Sequence, residues 1–180
     1  MTTLLDLAKK RRSIRKYSPK TIEHNLLELI AETARYAPSA CNAQPWKFII
    51  IDDPLLRSQV AETFSNAYSM NTFAGKASAF IFIVSERKKL VPQIGGLLQN
   101  TDFTLIDTGI ACAHLALAAA ELNIGSCILG WFNEKKLKRM LSVPPAKRIE
   151  LVIALGFPED ENLPPRRLKD ISEVVGNNVY

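Results

Sequence analysis

The segment Arg11-Arg12-Ser13-Ile14-Arg15 carries the strongest chemical signal in this chain. Guanidinium groups grip phosphate oxygens through paired N–H donors, and a serine hydroxyl adds a neutral donor. Alternate side chains on an extended segment share a face, so Arg11, Ser13 and Arg15 are expected to converge on one anion. Lys9, Lys10 and Lys16 flank them and are expected to be solvated. The net charge of +5 favours anionic partners in general. Two more basic groups follow, Lys135-Lys136-x-Lys138-Arg139 and Arg166-Arg167-x-Lys169. A run of cations taken alone reads more readily as a solvated face.

Two other stretches carry usable chemistry. Pro38-Ser39-Ala40-Cys41-Asn42-Ala43-Gln44-Pro45 is a loop by composition. Its prolines stiffen it, and Ser39, Asn42 and Gln44 offer mixed donors and acceptors, although Ser and Asn are also ordinary turn residues. Leu129-Gly130-Trp131-Phe132 follows a strand. A glycine there lets a flat ligand lie against backbone, and Trp131 and Phe132 can wall a ring system or simply pack in the core.

The elements that must position these residues can be read from periodicity. Thr3-x-x-Asp6 predicts a capping box opening a short helix to about Lys10. Apolar residues at Ile22, Leu26, Ile30 and Ala34 predict an amphipathic helix from Thr21, its N-cap, to Ala37. Strands are expected at 46–51, 80–84, 126–130 and 149–155. Helices are expected at 55–66, at 133–141 and over about 101–123. The last of these is apolar on most sides and so expected to be a core helix, with Gly109 marking a close approach and Gly125 a C-terminal stop. Residues 86–100 read as a loop, and 66–77 and 86–100 are candidate lids. Residues 157–180 have too few apolar side chains for a core of their own and need a surface to lie against.

A length of 180 residues favours one domain, 1–180. No strand precedes the first helices, and no G-x-G-x-x-G or Walker A sequence occurs, which argues against a Rossmann unit or P-loop. Cys41, Cys112 and Cys127 form neither a disulfide framework nor a zinc pattern, and no metal site is expected. A reducing, cytoplasmic setting is expected, with no signal peptide and no membrane span. Nucleic-acid binding lacks a recognised motif. His114, inside the long helix, is expected to be a buried, hydrogen-bonded structural residue, and His24 a surface one.

In combination, the early Arg-Arg-Ser-x-Arg, the Pro-Ser-x-x-Asn-x-Gln-Pro-Trp loop, the glycine strand end and the C-terminal arginine pair resemble the nitroreductase family of flavin mononucleotide (FMN) enzymes. The resemblance covers nearly the whole chain. It implies an α+β fold with a largely antiparallel sheet flanked by helices, and a homodimer whose C-terminal arm, 157–180, extends onto the partner. Arg11, Arg12, Ser13 and Arg15 would hold the FMN phosphate and ribityl or pyrimidine atoms, with Arg166 and Arg167 completing the phosphate site. Pro38, Ser39, Asn42 and Gln44 would face the flavin ring region, with Ser39 and Asn42 supplied by the partner. Leu129 and Gly130 would lie along the isoalloxazine, and Cys41, Trp131 and Phe132 would line the substrate pocket. Trp131-Phe132 stand where larger members carry an acidic residue, and Pro165 stands where a lysine is often seen. The implied activity is NAD(P)H-dependent reduction of nitroaromatics, quinones or similar small aromatic acceptors by ping-pong hydride transfer. Flavin reduction, reductive dehalogenation and flavin binding without turnover are the alternatives.

Overall fold

The computed structural model describes residues 3–64, 71–86, 101–160 and 166–180. Helix α1 (Leu4–Lys10) opens on the expected capping box: the Thr3 hydroxyl accepts the Asp6 N–H and the Asp6 carboxylate accepts the Thr3 N–H. Helix α2 spans His24–Arg35. It starts later than its periodicity suggests, because Glu23 rather than Thr21 occupies the N-cap and gives no side-chain cap. Strand β1 (Trp46–Ile51) leads into α3 (Pro54–Ala61), where the Asp53 carboxylate accepts the Leu56 N–H. Short 3-10 turns cover Glu62–Phe64 and Asn71–Lys76. Strand β2 (Ala79–Ser85), helix α4 (Phe103–Glu121), strand β3 (Gly125–Leu129), helix α5 (Glu134–Met140) and strand β4 (Arg148–Gly156) follow. The end of the expected helix at 65–66, parts of both candidate lids (66–70 and 87–100) and Pro165 lie outside the described residues.

The four strands form one antiparallel sheet in the order β1-β2-β4-β3. Central β2 is buried on both faces, which explains its unbroken apolar run. Ala79, Ile81 and Ile83 face α2 and α4, while Phe80, Phe82 and Val84 face α3 and α5. The sheet is therefore sandwiched between two helical layers. In β4 a bulge changes the alternation: Ile83 pairs with Leu151 but Val84 pairs with Ile149, leaving Glu150 as the extra residue.

Helix α4 departs from the sequence expectation in three ways. It is only half a core helix: Leu115, Ala111 and Ala119 are buried, but Leu105 and Ile106 are half exposed. By length and composition it would pass as a membrane span, but half of it is buried inside the fold. Gly109 approaches nothing, because an added Cβ would meet no atom within 4 Å. Asn123, with φ 59°, takes the left-handed position after the helix, and Gly125 is the first residue of β3. His114 donates from Nδ1 to the Ile110 carbonyl at 2.9 Å, the expected hydrogen bond, but it is half buried rather than buried.

Candidate functional site

The basic segment is wedged against the free edge of the sheet. The Ile14 N–H donates to the Ser126 carbonyl at 2.9 Å, and the Ser18 N–H donates to the Phe157 carbonyl at 2.9 Å. Ser13 bridges Ser126, and Tyr17 bridges Pro158. Ile14 and Tyr17 are buried in the core, and the Tyr17 hydroxyl donates to the Ala154 carbonyl. Two glycines make room. Gly125 and Gly156 are register partners on β3 and β4. A Cβ on Gly125 would stand 2.7 Å from Ile14 Cγ1, and one on Gly156 would stand 2.6 Å from Tyr17 Cδ1. With Ile14 and Tyr17 turned inward, Ser13 and Arg15 are exposed, as the alternation demands.

The arginines are only partly on one face. Arg11 and Arg12 line a cavity of about 250 Å3 with Lys10, Ser126, Asn123 and Asp160. Arg15 instead lies over the Phe73 ring, 5.8 Å from its centroid. Arg11 and Arg15 nevertheless bracket β3. Burial pushes the Cys127 thiol up, and the charges of Arg15 and then Arg11 oppose that shift. Arg11 also opposes the effect of burial on Cys112, whose thiol is pushed up to about 12. Among the described residues, Arg11, Arg12 and Arg15 pair with no carboxylate in an ion pair. Lys10 differs, donating to Asn123 Oδ1 at 2.7 Å.

The loop after α2 is held by polar contacts. The Gln44 N–H donates to Ser39 Oγ at 2.9 Å, and the Gln44 side chain donates to Asn42 Oδ1 at 2.9 Å. The Glu86 N–H donates to the Pro45 carbonyl and fixes the far end. Cys41, Asn42 and Gln44 have φ of 51°, 50° and 47°. Asn tolerates this region, whereas for Cys and Gln it costs about 1–2 kcal/mol each. Pro38, Cys41, Asn42 and Gln44 are exposed, and Ser39 is half buried.

At the other strand end, Leu129 is buried and Gly130 exposed, with only Leu151 Cδ2 at 4.0 Å from an added Cβ. Trp131 is 61% exposed and available to a ligand rather than spent in the core. Its carbonyl accepts the Asn71 side-chain amide. Phe132 is half buried against the α3/α5 side of the core. Arg166 and Arg167 are exposed at the start of an arm in which Leu168, Ile171, Val174, Val175 and Val179 are all more than half exposed.

The loop and the cavity stand at opposite ends of α4. The loop touches it at Asp107, and the cavity is lined by Ala120. At 1.5 Å per residue these positions are roughly 20 Å apart. One chain therefore does not bring its own loop against its own Arg11 and Arg12.

Comparison with known proteins decides what this arrangement belongs to. The sequence model of the nitroreductase family matches residues 8–157. The chain belongs to the nitroreductase family. A protein of Archaeoglobus fulgidus, named provisionally as an NADH dehydrogenase/NAD(P)H nitroreductase, is 32% identical over 89% of this chain and 88% of its own. An iodotyrosine deiodinase of Thermotoga neapolitana is 26% identical over 89% of this chain and 91% of its own. The structure of an FMN-dependent nitroreductase of Clostridium difficile R20291 superposes with a TM-score of 0.77 at 24% identity, covering 98% of this chain and all of that one. The α+β, largely antiparallel fold expected from the sequence is thus the fold of the nitroreductase family.

This nitroreductase-family chain has three site-building residues that the motifs did not single out. Gly125 and Gly156 seat the basic segment. The third is Asp107 on α4, 4% exposed, whose two carboxylate oxygens accept the Ala40 N–H at 3.1 and 3.2 Å. Burial pushes its carboxyl above the ordinary carboxylate range, and the Ala40 amide opposes that shift. An aspartate inside an otherwise apolar helical run was the available signal, since a buried charge needs a partner.

Proposed function

We propose that this protein is an FMN-dependent oxidoreductase that takes reducing equivalents from NADH or NADPH and passes them to small aromatic acceptors such as nitroaromatics or quinones. The observation that carries this reading is the set of arginines at the sheet edge that, among the described residues, make no ion pair, although Asp160 lines the same cavity. Arg11 and Arg12 open onto a cavity beside Ser126, and Arg15 stands just beyond. Cations held in place without acidic partners fit a phosphate monoester. The FMN-dependent relative in Clostridium difficile and the NAD(P)H-linked relative in Archaeoglobus support the cofactor and the donor.

In this reading the whole chain, 1–180, forms one FMN-binding domain. Arg11, Arg12, Ser13 and Arg15 hold the phosphate and the polar edge of the cofactor, and Arg166 and Arg167 complete the phosphate site from the arm. Leu129 and Gly130 present a flat backbone surface, and Trp131, Phe132 and Cys41 wall the place where donor and acceptor bind. Bound FMN supplies hydride acceptance and return at N5. Donor and acceptor use the same place in turn, which makes turnover ping-pong. The cations also favour negative charge developing on the cofactor's pyrimidine side.

The roughly 20 Å between the loop and the cavity within one chain supports a site shared by two copies. Pro38, Ser39, Asn42 and Gln44 of one chain would then face the cofactor held by the other. The exposed arm supports the same assembly. Burying each of its large apolar side chains is worth about 1.5–3 kcal/mol, which a second copy can supply. The deiodinase relative favours a second reading, reductive dehalogenation on the same scaffold.

An absorbance spectrum recorded before and after anaerobic NADH or NADPH tests the proposal. The expected result is a flavin spectrum that bleaches with one or both donors and returns on adding a nitroaromatic or quinone. Return only with a halogenated phenol supports the second reading. Protein that stays colourless and takes up no added FMN overturns both, and flavin that neither donor bleaches leaves a binding protein without turnover.

A further inference from the structure

We propose that Asp107 is a positioning residue for the cofactor loop: it holds the Ala40 amide from within α4 and so fixes how Ser39, Asn42 and Gln44 are presented. This rests on the proposed role of the loop in binding FMN.

The argument starts from an imbalance. Asp107 is nearly fully buried on α4, and the Ala40 amide is the only partner of its carboxylate among the described residues. No charged neighbour acts on it. A buried carboxylate with so little compensation is a poor choice for stability alone. What it secures is a loop in costly geometry. Three of the four residues from Cys41 to Gln44 have left-handed backbone, and none is glycine. Such geometry persists only where the surroundings over-determine it. Ser39 closes the loop from inside by accepting the Gln44 N–H. Asp107 ties the closed loop to the rigid helix, at the residue where its 3-10 turn, Ala40–Asn42, begins. With the amide turned inward, Cys41 and Asn42 are left exposed.

The test uses Asp107→Leu, which removes the acceptor, and Asp107→Asn, which keeps one. Ala40→Pro removes the donor instead. Ser39 already has the extended backbone a following proline demands (φ −146°, ψ 152°), so this variant tests the tie independently of whether a buried leucine is accommodated. Two readouts are taken. The first is the deuterium-labelling rate of the Gln44 amide, which Ser39 Oγ accepts in the closed loop, in FMN-free protein. The second is FMN affinity by fluorescence quenching. For Asp107→Leu and Ala40→Pro the expected result is about tenfold faster labelling and about tenfold weaker FMN binding, with both close to wild type in Asp107→Asn. Faster labelling with unchanged FMN affinity would show that Asp107 anchors the loop but that the loop does not hold the cofactor, which overturns the proposal and that part of the functional reading together. Unchanged labelling overturns the proposal alone, whatever happens to FMN.

Discussion

The two halves of the candidate site are built on opposite principles. The basic segment is seated by apolar packing and backbone pairing: Ile14 and Tyr17 fill space that Gly125 and Gly156 leave open, and Arg11, Arg12 and Arg15 make no ion pair among the described residues, although Arg15 lies over the Phe73 ring. The loop after α2 is seated by polar contacts, with Asp107 and Ser39 holding a left-handed backbone in place. In the first half, the residues that build the site and those that bind are different residues. In the second they overlap, since Ser39 both closes the loop and is a candidate ligand. Damage to support and damage to binding should therefore separate cleanly in the basic segment and only partly in the loop.

The largest effect should come from removing the space under Tyr17. In Gly156→Val the added carbons would overlap a ring that is 5% exposed. Overpacking of this kind costs about 1–3 kcal/mol, and at roughly 2–4 °C per kcal/mol a clear fall in Tm follows. FMN binding should weaken with it, since the segment carrying Arg11 to Arg15 must shift. Gly130→Ala is the stability control, because its Cβ meets only one atom, at 4.0 Å. If Gly156→Val melts like wild type, the wedge does not seat the segment.

This difference also explains what could be read in advance. The elements followed from periodicity, and the alternation around Ile14 correctly placed Ser13 and Arg15 outside. The divergence of Arg15 from Arg11 was not legible, because it depends on Phe73, a residue distant in sequence. Gly125 read as a helix stop because a glycine after an apolar helix usually is one. Its actual reason, the Ile14 side chain above it, is a contact across more than a hundred residues. Local patterns name the candidate ligands, and tertiary contacts decide which residues support them. The half exposure of Leu105 and Ile106 was hidden for the same reason, since hydrophobicity alone does not tell a core face from one left for another surface.

Next in size is loss of the cations themselves. Arg11→Ala and Arg15→Ala should each weaken FMN binding by roughly tenfold to a hundredfold, since a hydrogen bond to a charged group is worth about 1.5–3 kcal/mol, and the double variant should weaken it further. The Tm of FMN-free protein should fall little: among the described residues neither arginine has an acidic partner to lose, and Arg15 gives up its contact with the Phe73 ring. Titration calorimetry paired with a melting curve reads both. A double variant that binds FMN as wild type does would remove the arginines from the site. One that melts well below wild type would give them a structural duty and erase the contrast between the two halves.

The smallest effect is the most specific to the loop. Folding raises the carboxyl pKa of Asp107, because burial disfavours its charge by more than the Ala40 amide favours it. The folded protein therefore holds the proton more tightly than the unfolded chain. The resulting stability is fully present below the unfolded value and is lost as pH rises through the folded one. Asp107→Asn keeps an acceptor for Ala40 but does not titrate. The Tm of this variant minus that of wild type, measured without FMN, should be lowest in acid, increase as pH passes from below the ordinary carboxylate range through the raised value, and then level off. The basic segment provides the contrast, since alanine at Arg11 and Arg15 should leave no such step across the carboxylate range. A difference that is flat with pH would mean that Asp107 is not raised by folding. A difference that declines with rising pH would mean that ionised Asp107 has a stronger partner than one amide, and the loop would then be held by charge rather than by a single hydrogen-bonded tie.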